Sequence, residues 1–434
     1  MRDNYRYLYG PLMERSLVNF QVQHLARNYD FGKQSRVAAL IVEEVNSRMG
    51  EVERRLGVQR IYPFHLYFRW RGEDLALPLF RPEYLDPIFN GTGNFGVSRE
   101  LVLAACLKSA ARQRAKISPK QLRGIIDPSW FVRYRRRGGC REGPNSQDMS
   151  GAGDATVHVR GEIEAIKPLS PFERIDNLDR GAPVSLVNEL SRFVEREGGQ
   201  GPTVANHMVQ ELITLRNVCC PRVRHLKTGE MPFLATSVHA HLSEEVAARF
   251  RRLTPVILTV WTKEELENPP WDEAITDELQ KKRIMRVCFE AYRQNGLLSL
   301  MDLQWIFQIS SRKLSELSQS AEKEYNIIIP TPGTVLDSGR SMTHKDIVID
   351  LYLGGHTVRE ISRITYHSPR SVDNYINTFE SVLILHIYGV PKKLMARILG
   401  KGISLIEEHL EIVRQHFKSV EEARRLLETK EAIF

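Results

Sequence analysis

One spacing recurs three times in the last third of this chain, and it limits what that region can fold into. A capping residue is followed three positions on by an acid, then by apolar residues three apart. A second cap follows, and behind it a second set of apolar positions. The first copy is Ser299, Asp302, Leu303, Ile306, Ser310, Leu314 and Leu317; the second is Thr357, Glu360, Ile361, Ile364, Ser368, Val372 and Tyr375. A third, looser copy runs through Pro391, Met395, Ile398, Gly402, Ile406, His409 and Leu410. Ser or Thr with an acid at the third helical position satisfies two orphan backbone donors at once, so each copy opens a short helix. The apolar pairs share one helical face, and the second cap starts a second helix that packs back on the first. That arrangement is a helix-turn-helix, whose second helix enters the major groove in DNA-binding proteins.

The residues that the second helices turn outward bear on whether these units meet nucleic acid. In the first they are Ser311, Arg312, Lys313 and Ser315; in the second, Arg370, Ser371, Asn374 and Asn377. Arg suits the paired acceptors of guanine and Asn the acceptor and donor of adenine, while Ser and Lys suit phosphates. The third unit offers Glu407, Glu408 and Glu411, which repel phosphate, so it is expected to pack or to contact a partner. Helical hairpins with tight turns also serve as dimerisation modules, and the pattern alone does not separate the two uses.

Charge is segregated along the chain. The net charge of +8 and a pI near 9.2 fit a polyanionic partner. Between Lys108 and Glu142 eleven Lys/Arg stand against two acids, which places much of the surplus in one stretch. Residues 403–434 carry five against seven, so the tail is not where a phosphate backbone would bind. No apolar run approaches the ~18–20 residues of a membrane span, and the opening MRDNYRYLYGPLMERS lacks the apolar core of a secretory signal. A cytoplasmic, nucleoid-associated location is the expectation. Five irregularly spaced cysteines read as reduced thiols rather than a disulfide framework.

Residues 16–56 read as helical, and IYPFHLYFRW as strand, with Ala76–Leu79 and its prolines as turns and edges. A helix over Ser98–Arg114 is expected, with Ser98 as its cap. The run Trp130–Arg137 interleaves aromatics with Arg133, Arg135, Arg136 and Arg137, a mixture that grips phosphates and stacks on bases, or else a solvated basic segment. Residues 138–156 have linker composition, and 157–166 reads as a strand. Helices over Ser185–Glu197 and Thr203–Arg216 precede a small sheet from Met231–Val238 and Leu253–Trp261. A helix over Thr276–Gln294, closed by Asn295-Gly296, leads into the first repeat. Tyr325–Pro330 with Thr331-Pro332-Gly333 reads as a strand and turn, a wing for that repeat.

The series Gly296-Leu297-Leu298-Ser299, Asp302-Leu303, Ser310, Ile329-Pro330-Thr331-Pro332-Gly333, Asp337-Ser338-Gly339-Arg340, Thr343-His344-Lys345 and Ile361 to Ser368 resembles the prokaryotic domain-of-unknown-function family 1670. Leu253–Thr259 matches as well, and Phe31-Gly32 with Arg36–Ala38 more loosely. The resemblance covers 253–411 well, while 60–225 reads as an insertion. It implies a protein with several helix-turn-helix units, a regulator or a mobile-element factor, and carries no established activity. It also marks the segment through Arg340, His344 and Lys345 as a linker between repeats, whose basic groups could reach phosphates or a minor groove; alternatively Thr343 simply caps the next helix.

Chemistry is sparse. There is no phosphate-binding loop with Gly-Lys-Ser/Thr, and GTGNFG (91–96) reads as a turn. Cys219, Cys220, His225, His239 and His241 lack the usual metal-knuckle spacing. Carboxylates for a two-metal nuclease exist, but no spacing selects three; Asp74, Asp154 and Glu290 are only examples. The expected fold is mainly α with a small β component (α+β). A mixed domain at 1–137 ends in the basic segment, and a linker at 138–156 leads to an α+β domain at 157–275. Helix-turn-helix units follow at 276–340 (winged), 341–388 and 389–434, the last with an acidic tail. The expected function is sequence-specific recognition of double-stranded DNA by a transcriptional regulator acting as a homodimer, without cofactor, metal or catalytic residues. The alternative is a transposition or recombination protein that uses the same repeats for targeting.

Overall fold

The computed structural model describes residues 12–13, 15–31, 34–90, 95–113, 115–126, 174, 182–240, 252–267, 273–325, 327–336 and 345–429. The protein is mainly helical with small antiparallel sheets, an α+β fold. It divides into two compact units, 1–332 and 333–434.

In the first unit α1 (Leu17–Asn28), α2 (Ser35–Arg55), α5 (Val184–Gly198) and α6 (Pro202–Cys219) gather around one apolar core. Leu25, Ile41, Val45, Leu190, Val194, Met208 and Leu212 fill it. The helical reading of 16–56 thus resolves into two helices, broken where Asp30 takes a positive φ of 56°. Polar groups at the edge of this core are tied to one another. Glu53, 7% exposed, accepts from Arg60 Nε at 2.5 Å and from Arg216 Nη2 at 2.8 Å. Arg216 continues to Asn46 Oδ1 (3.1 Å), and Arg60 to Asn217 Oδ1 (2.6 Å) and the Cys220 carbonyl (2.7 Å).

Strands β1 (His65–Trp70) and β2 (Glu73–Pro78) form a hairpin in which Trp70 pairs with Glu73. Arg71 and Gly72 between them have φ of 50° and 88°, the two positive values that a tight primed hairpin turn requires. The turns expected over Ala76–Leu79 are therefore mostly strand, because the reversal lies earlier. The helix expected from Ser98 starts at Phe95: α3 (Phe95–Arg112) encloses Ser98, which is fully buried and is not its cap. A short α4 (Pro119–Ile126) follows.

The second sheet has the order β4-β3-β5, from β3 (Glu230–Ser237), β4 (Leu253–Thr259) and β5 (Gly296–Leu297). β3 is buried along its whole length, since it is the central strand with α6 and the hairpin packed against it. α7 (Glu273–Arg293) lies against β4 and β5. At its end Asn295 supplies the left-handed residue (φ 61°), while Gly296 serves a different need. A Cβ there would stand 2.7 Å from Ala235 Cβ and 2.8 Å from Val256 Cγ1.

The first repeat closes this unit, with α8 (Leu300–Phe307) and α9 (Ser311–Tyr325). The wing expected at Tyr325–Pro330 is not formed. Tyr325 ends α9, and 327–331 is irregular, without a paired strand. Burial explains this. Ile328 and Ile329 turn into the core, and the Ile329 N–H donates to Glu322 Oε1 at 3.0 Å.

The second unit is all helix among its described residues: α10 (Lys345–Leu353), α11 (Val358–Thr365), α12 (Pro369–Ile387), α13 (Lys392–Leu399), α14 (Ile403–His416) and α15 (Val420–Thr429). α12 is its spine. Its first turns give Val372 and Ile376 to a cluster with Val348 and Ile361. Phe379 and Leu383 join Ile349, Ile412 and Val413, and Val382 joins Met395, Ile406 and Leu410. The second and third repeats are fused through this helix.

His409 of α14 is 1% exposed, beside the Phe379 ring (centroids 6.4 Å apart). Burial, aided by the Lys345 charge, lowers its pKa from the usual 6.5 to about 4. Between those two values the unfolded chain takes up a proton that the folded one refuses. Stability from this group is present above pH 6.5 and is lost as pH falls toward 4. Thermal melting of the second unit is expected to drop across that window, and less so in His409→Phe. Equal pH dependence in both proteins would contradict this.

None of the described helices is long and apolar enough to cross a membrane.

Candidate nucleic-acid interface

The three repeats share one backbone plan. In each, the first helix is eight residues long, α8, α11 and α13. In each, the next residue is left-handed: Gln308 (φ 55°), Tyr366 (60°) and Gly400 (61°). The second helix starts after the same interval, behind Ser310, Ser368 or Gly402. Both predicted capping boxes are present. The Ser299 and Thr357 hydroxyls accept from the backbones of Asp302 (3.2 Å) and Glu360 (3.3 Å), and those carboxylates accept in return at 2.7 and 2.8 Å. The backbone N–H of Thr357 lowers the pKa of the Glu360 carboxyl, so the box stays charged at neutral pH. Pro391 lacks a capping side chain, which is why the third copy is hard to see in the sequence.

The repeats differ in what they leave open. The first is welded into its unit. From Asp302 to Phe307 every residue of α8 is buried. Arg15 Nη2 meets Asp302 Oδ2 at 2.8 Å, and the Trp305 ring stands 5.1 Å from Phe80 and 5.2 Å from Phe95. Gln308 Nε2 donates to the Leu79 carbonyl at 3.0 Å. Only α9 has a free face. There Ser311 and Arg312 are exposed and Ser315 is half-buried, but the cations are engaged. Arg312 pairs with Glu316 at 3.0 Å, and Lys313 with Asp277 of α7 at 2.6 Å. The Arg312 pair is solvent-exposed and worth little.

The second repeat is open on both helices. Arg359 and Arg363 of α11 are exposed, as are Arg370, Asn374 and Asn377 of α12. Ser368 caps α12 by accepting from the Ser371 N–H at 3.1 Å, and its hydroxyl lies 2.8 Å from that of Ser371. Ser371 is therefore half-buried and tied to the cap. Beneath, Ser362 Oγ donates to the His367 carbonyl at 2.6 Å, and the His367 ring meets Tyr375 edge-on at 5.7 Å. These contacts fix the angle at which α12 leaves the turn. Arg359 and Arg363 carry no signal in the helix-turn-helix spacing. They come into view only because α11 has an open face, in contrast to α8.

Lys345 is a correction. It is 7% exposed, and its Nζ holds Glu408 Oε2 at 2.7 Å. Its ammonium thus anchors α10 to α14 and does not face a phosphate. Arg340 and His344 lie outside the described residues, as do Arg133, Arg135, Arg136 and Arg137.

The acids of the third repeat are all paired: Glu407 with Lys392, Glu408 with Lys345 and Glu411 with Arg414. Around them Leu394, Ile398 and Ile403 are 45%, 56% and 45% exposed.

Of the residues weighed for catalysis or metal, Asp74, Glu290, Cys219 and Cys220 have other employment. Asp74 accepts from the Tyr67 hydroxyl at 2.8 Å, and Glu290 from the Thr259 N–H at 2.6 Å; Asp154 is outside the described residues. Cys219 and Cys220 pack among Leu17, Leu234 and Leu253, and burial pushes the Cys220 thiol up to about 12.

The model of a protein family of unknown function, DUF1670, matches residues 199–412. Over that span the chain belongs to the DUF1670 family. The match begins earlier than the sequence motifs suggest, so α6 and Cys220–His225 are family structure and not part of an insertion. The loosely similar 31–52 lies outside it. The DUF1670 region thus takes in α6, the three-stranded sheet and all three repeats as far as α14. No match was found among curated proteins or among solved structures.

Proposed function

We propose that this DUF1670 protein binds duplex DNA and reads base edges through its second helix-turn-helix, as a transcriptional regulator. The supporting observation is the open second repeat. Its α12 starts from a rigid cap and presents Arg370, Asn374 and Asn377, with Arg359 and Arg363 exposed on α11. Arg and Asn at the start of a second helix match guanine and adenine, and flanking arginines match phosphates. The first repeat adds backbone contacts through Ser311, Arg312 and Ser315. The third repeat, with paired acids and exposed Leu394, Ile398 and Ile403, suits protein rather than phosphate. A second copy of the chain fits the paired half-sites on which such readers usually act. A cytoplasmic location at the nucleoid goes with this reading.

Arg370→Ala and Asn374→Ala are each expected to cost about 1–3 kcal/mol of specific affinity and to relax preference at one base pair. Arg363→Ala should weaken all sequences alike and lower the salt slope by about 0.9. Binding titrations against cognate and scrambled duplexes measure both. Unchanged selectivity in Arg370→Ala and Asn374→Ala would remove α12 as the reading helix. A recombination enzyme using the same repeats would instead nick or join cognate DNA with Mg²⁺ or Mn²⁺.

A further inference from the structure

The third repeat turns a mixed face to solvent. Its α13 packs Met395 and Ala396 against Val382, Ile406 and Leu410. On its outer side two rows of side chains run next to each other, each pair four residues apart: Leu394 with Ile398, and Lys393 with Arg397. All four are exposed, as are Lys401 and Ile403 at the turn into α14. Lys393, Arg397 and Lys401 pair with no carboxylate among the described residues.

Register with the second repeat gives this face its meaning. Counted back from the left-handed residues Tyr366 and Gly400, Lys393 stands where the second repeat has Arg359, and Arg397 where it has Arg363. The first repeat has Met301 and Trp305 in those places, on the largely enclosed α8. Cations there thus accompany an open first helix. Between the cations the two open repeats differ. The second has Glu360, bound into its capping box; the third has Leu394, exposed to solvent. A charged ridge on α11 becomes a basic and apolar one on α13.

Apolar groups beside unpaired cations define the occupant. A phosphate backbone satisfies the cations but covers neither Leu394 nor Ile398. A second copy of the same face brings apolar groups but no free carboxylate, because α13 has no acid and every acid of α14 is already paired. What meets both needs is a segment with carboxylates alongside apolar side chains at helical spacing. We propose that α13 docks an acidic amphipathic segment of a second protein, with Leu394 and Ile398 as its apolar contacts and Lys393 and Arg397 as its ionic ones. The proposal rests on the reading of the third repeat as a protein-facing unit and is independent of base reading by α12.

The test uses the full chain and a fluorescein-labelled synthetic peptide with Glu and Leu at helical spacing. A scrambled peptide of the same composition keeps the charge and loses the apolar face. Fluorescence anisotropy is expected to show the amphipathic peptide binding about tenfold tighter than the scrambled one, or more. Lys393→Ala/Arg397→Ala and Leu394→Ser/Ile398→Ser should each remove that preference; Arg397→Ala and Ile398→Ser serve singly if a double variant does not fold. Equal binding of the two peptides by the wild type overturns the proposal, as does a preference that survives in either double variant. Two other occupants have their own signatures, and each also overturns it. A lower salt slope for a random-sequence duplex in Lys393→Ala/Arg397→Ala, with the peptide preference intact, assigns the face to phosphate. A wild-type dimer that sediments as a monomer in Leu394→Ser/Ile398→Ser assigns it to a second copy. Arg370→Ala/Asn374→Ala should keep the peptide preference, so a failure of base reading and a failure of docking are told apart.

Discussion

Replacing Glu53 by Ala is expected to cost about 3–5 kcal/mol of unfolding free energy, among the largest effects of any single substitution in the first unit. Glu53 is the only carboxylate that hydrogen-bonds Arg60 and Arg216 among the described residues, and the side chains of those two arginines are 5% and 3% exposed. Its two oxygens accept from one guanidinium each, at 2.5 and 2.8 Å. Truncation leaves two buried cations facing each other with their counter-charge gone, and the Asn46, Asn217 and Cys220 acceptors that remain are neutral. Glu53→Gln should fall between the wild type and Ala, since it restores an acceptor but no charge. Urea unfolding reads the change as a lower midpoint with little change in slope. A loss below about 1 kcal/mol would show that water reaches these arginines and that the pair is not buried in solution.

The second large effect is expected at Asp302, where Asp302→Ala should also cost about 3–5 kcal/mol. Two structural roles meet on this fully buried carboxylate. It closes the capping box with Ser299, and it balances Arg15, 4% exposed, which also reaches Thr236 Oγ1 at 3.0 Å and the Leu234 carbonyl. A lost cap accounts for roughly 1 kcal/mol, and the broken ion pair with the buried Arg15 for most of the rest. Two further proteins separate the contributions. Glu360→Ala removes the matching cap of the second repeat, whose acid is exposed, and should lose only the capping share. Arg15→Met in the Asp302→Ala background should regain part of the loss by removing the buried charge that Asp302 offsets. If Asp302→Ala and Glu360→Ala proved equally mild, the ion pair would contribute nothing.

That contrast also shows what could be read from the sequence and what could not. The capping boxes depend on residues three apart, so Ser299/Asp302 and Thr357/Glu360 announce their helices directly. The burial of α8 was half-visible. LMDLQWIF is apolar nearly all round, as a helix enclosed on every side should be. What no local pattern contains is its partner, because Arg15 lies far away in sequence. Lys345 is the same case in reverse: beside His344 it looks like a basic linker, and only the fold brings Glu408 to it. The β1–β2 hairpin is hard to see in the sequence because Arg71-Gly72 stands where Asn-Gly is usual, and the prolines around the end of β2 read as turns and edges. The wing does not form because the β-prone Ile328 and Ile329 turn into the core instead of pairing. Of the proposed reading surface, Arg370, Asn374 and Asn377 follow from helical spacing. Arg359 and Arg363 needed the structure, since the same face of α8 is buried.

The central claim is that α12 reads bases, and one experiment addresses it most directly. The full-length protein and its Arg370→Ala/Asn374→Ala variant are each used to select bound duplexes from a random pool at two salt concentrations. The account predicts an enriched motif that survives the higher salt for the wild type and is lost or blurred at its central positions in the variant. A wild type that selects no motif and releases all DNA at higher salt would contradict it, leaving the basic surface to hold phosphate alone.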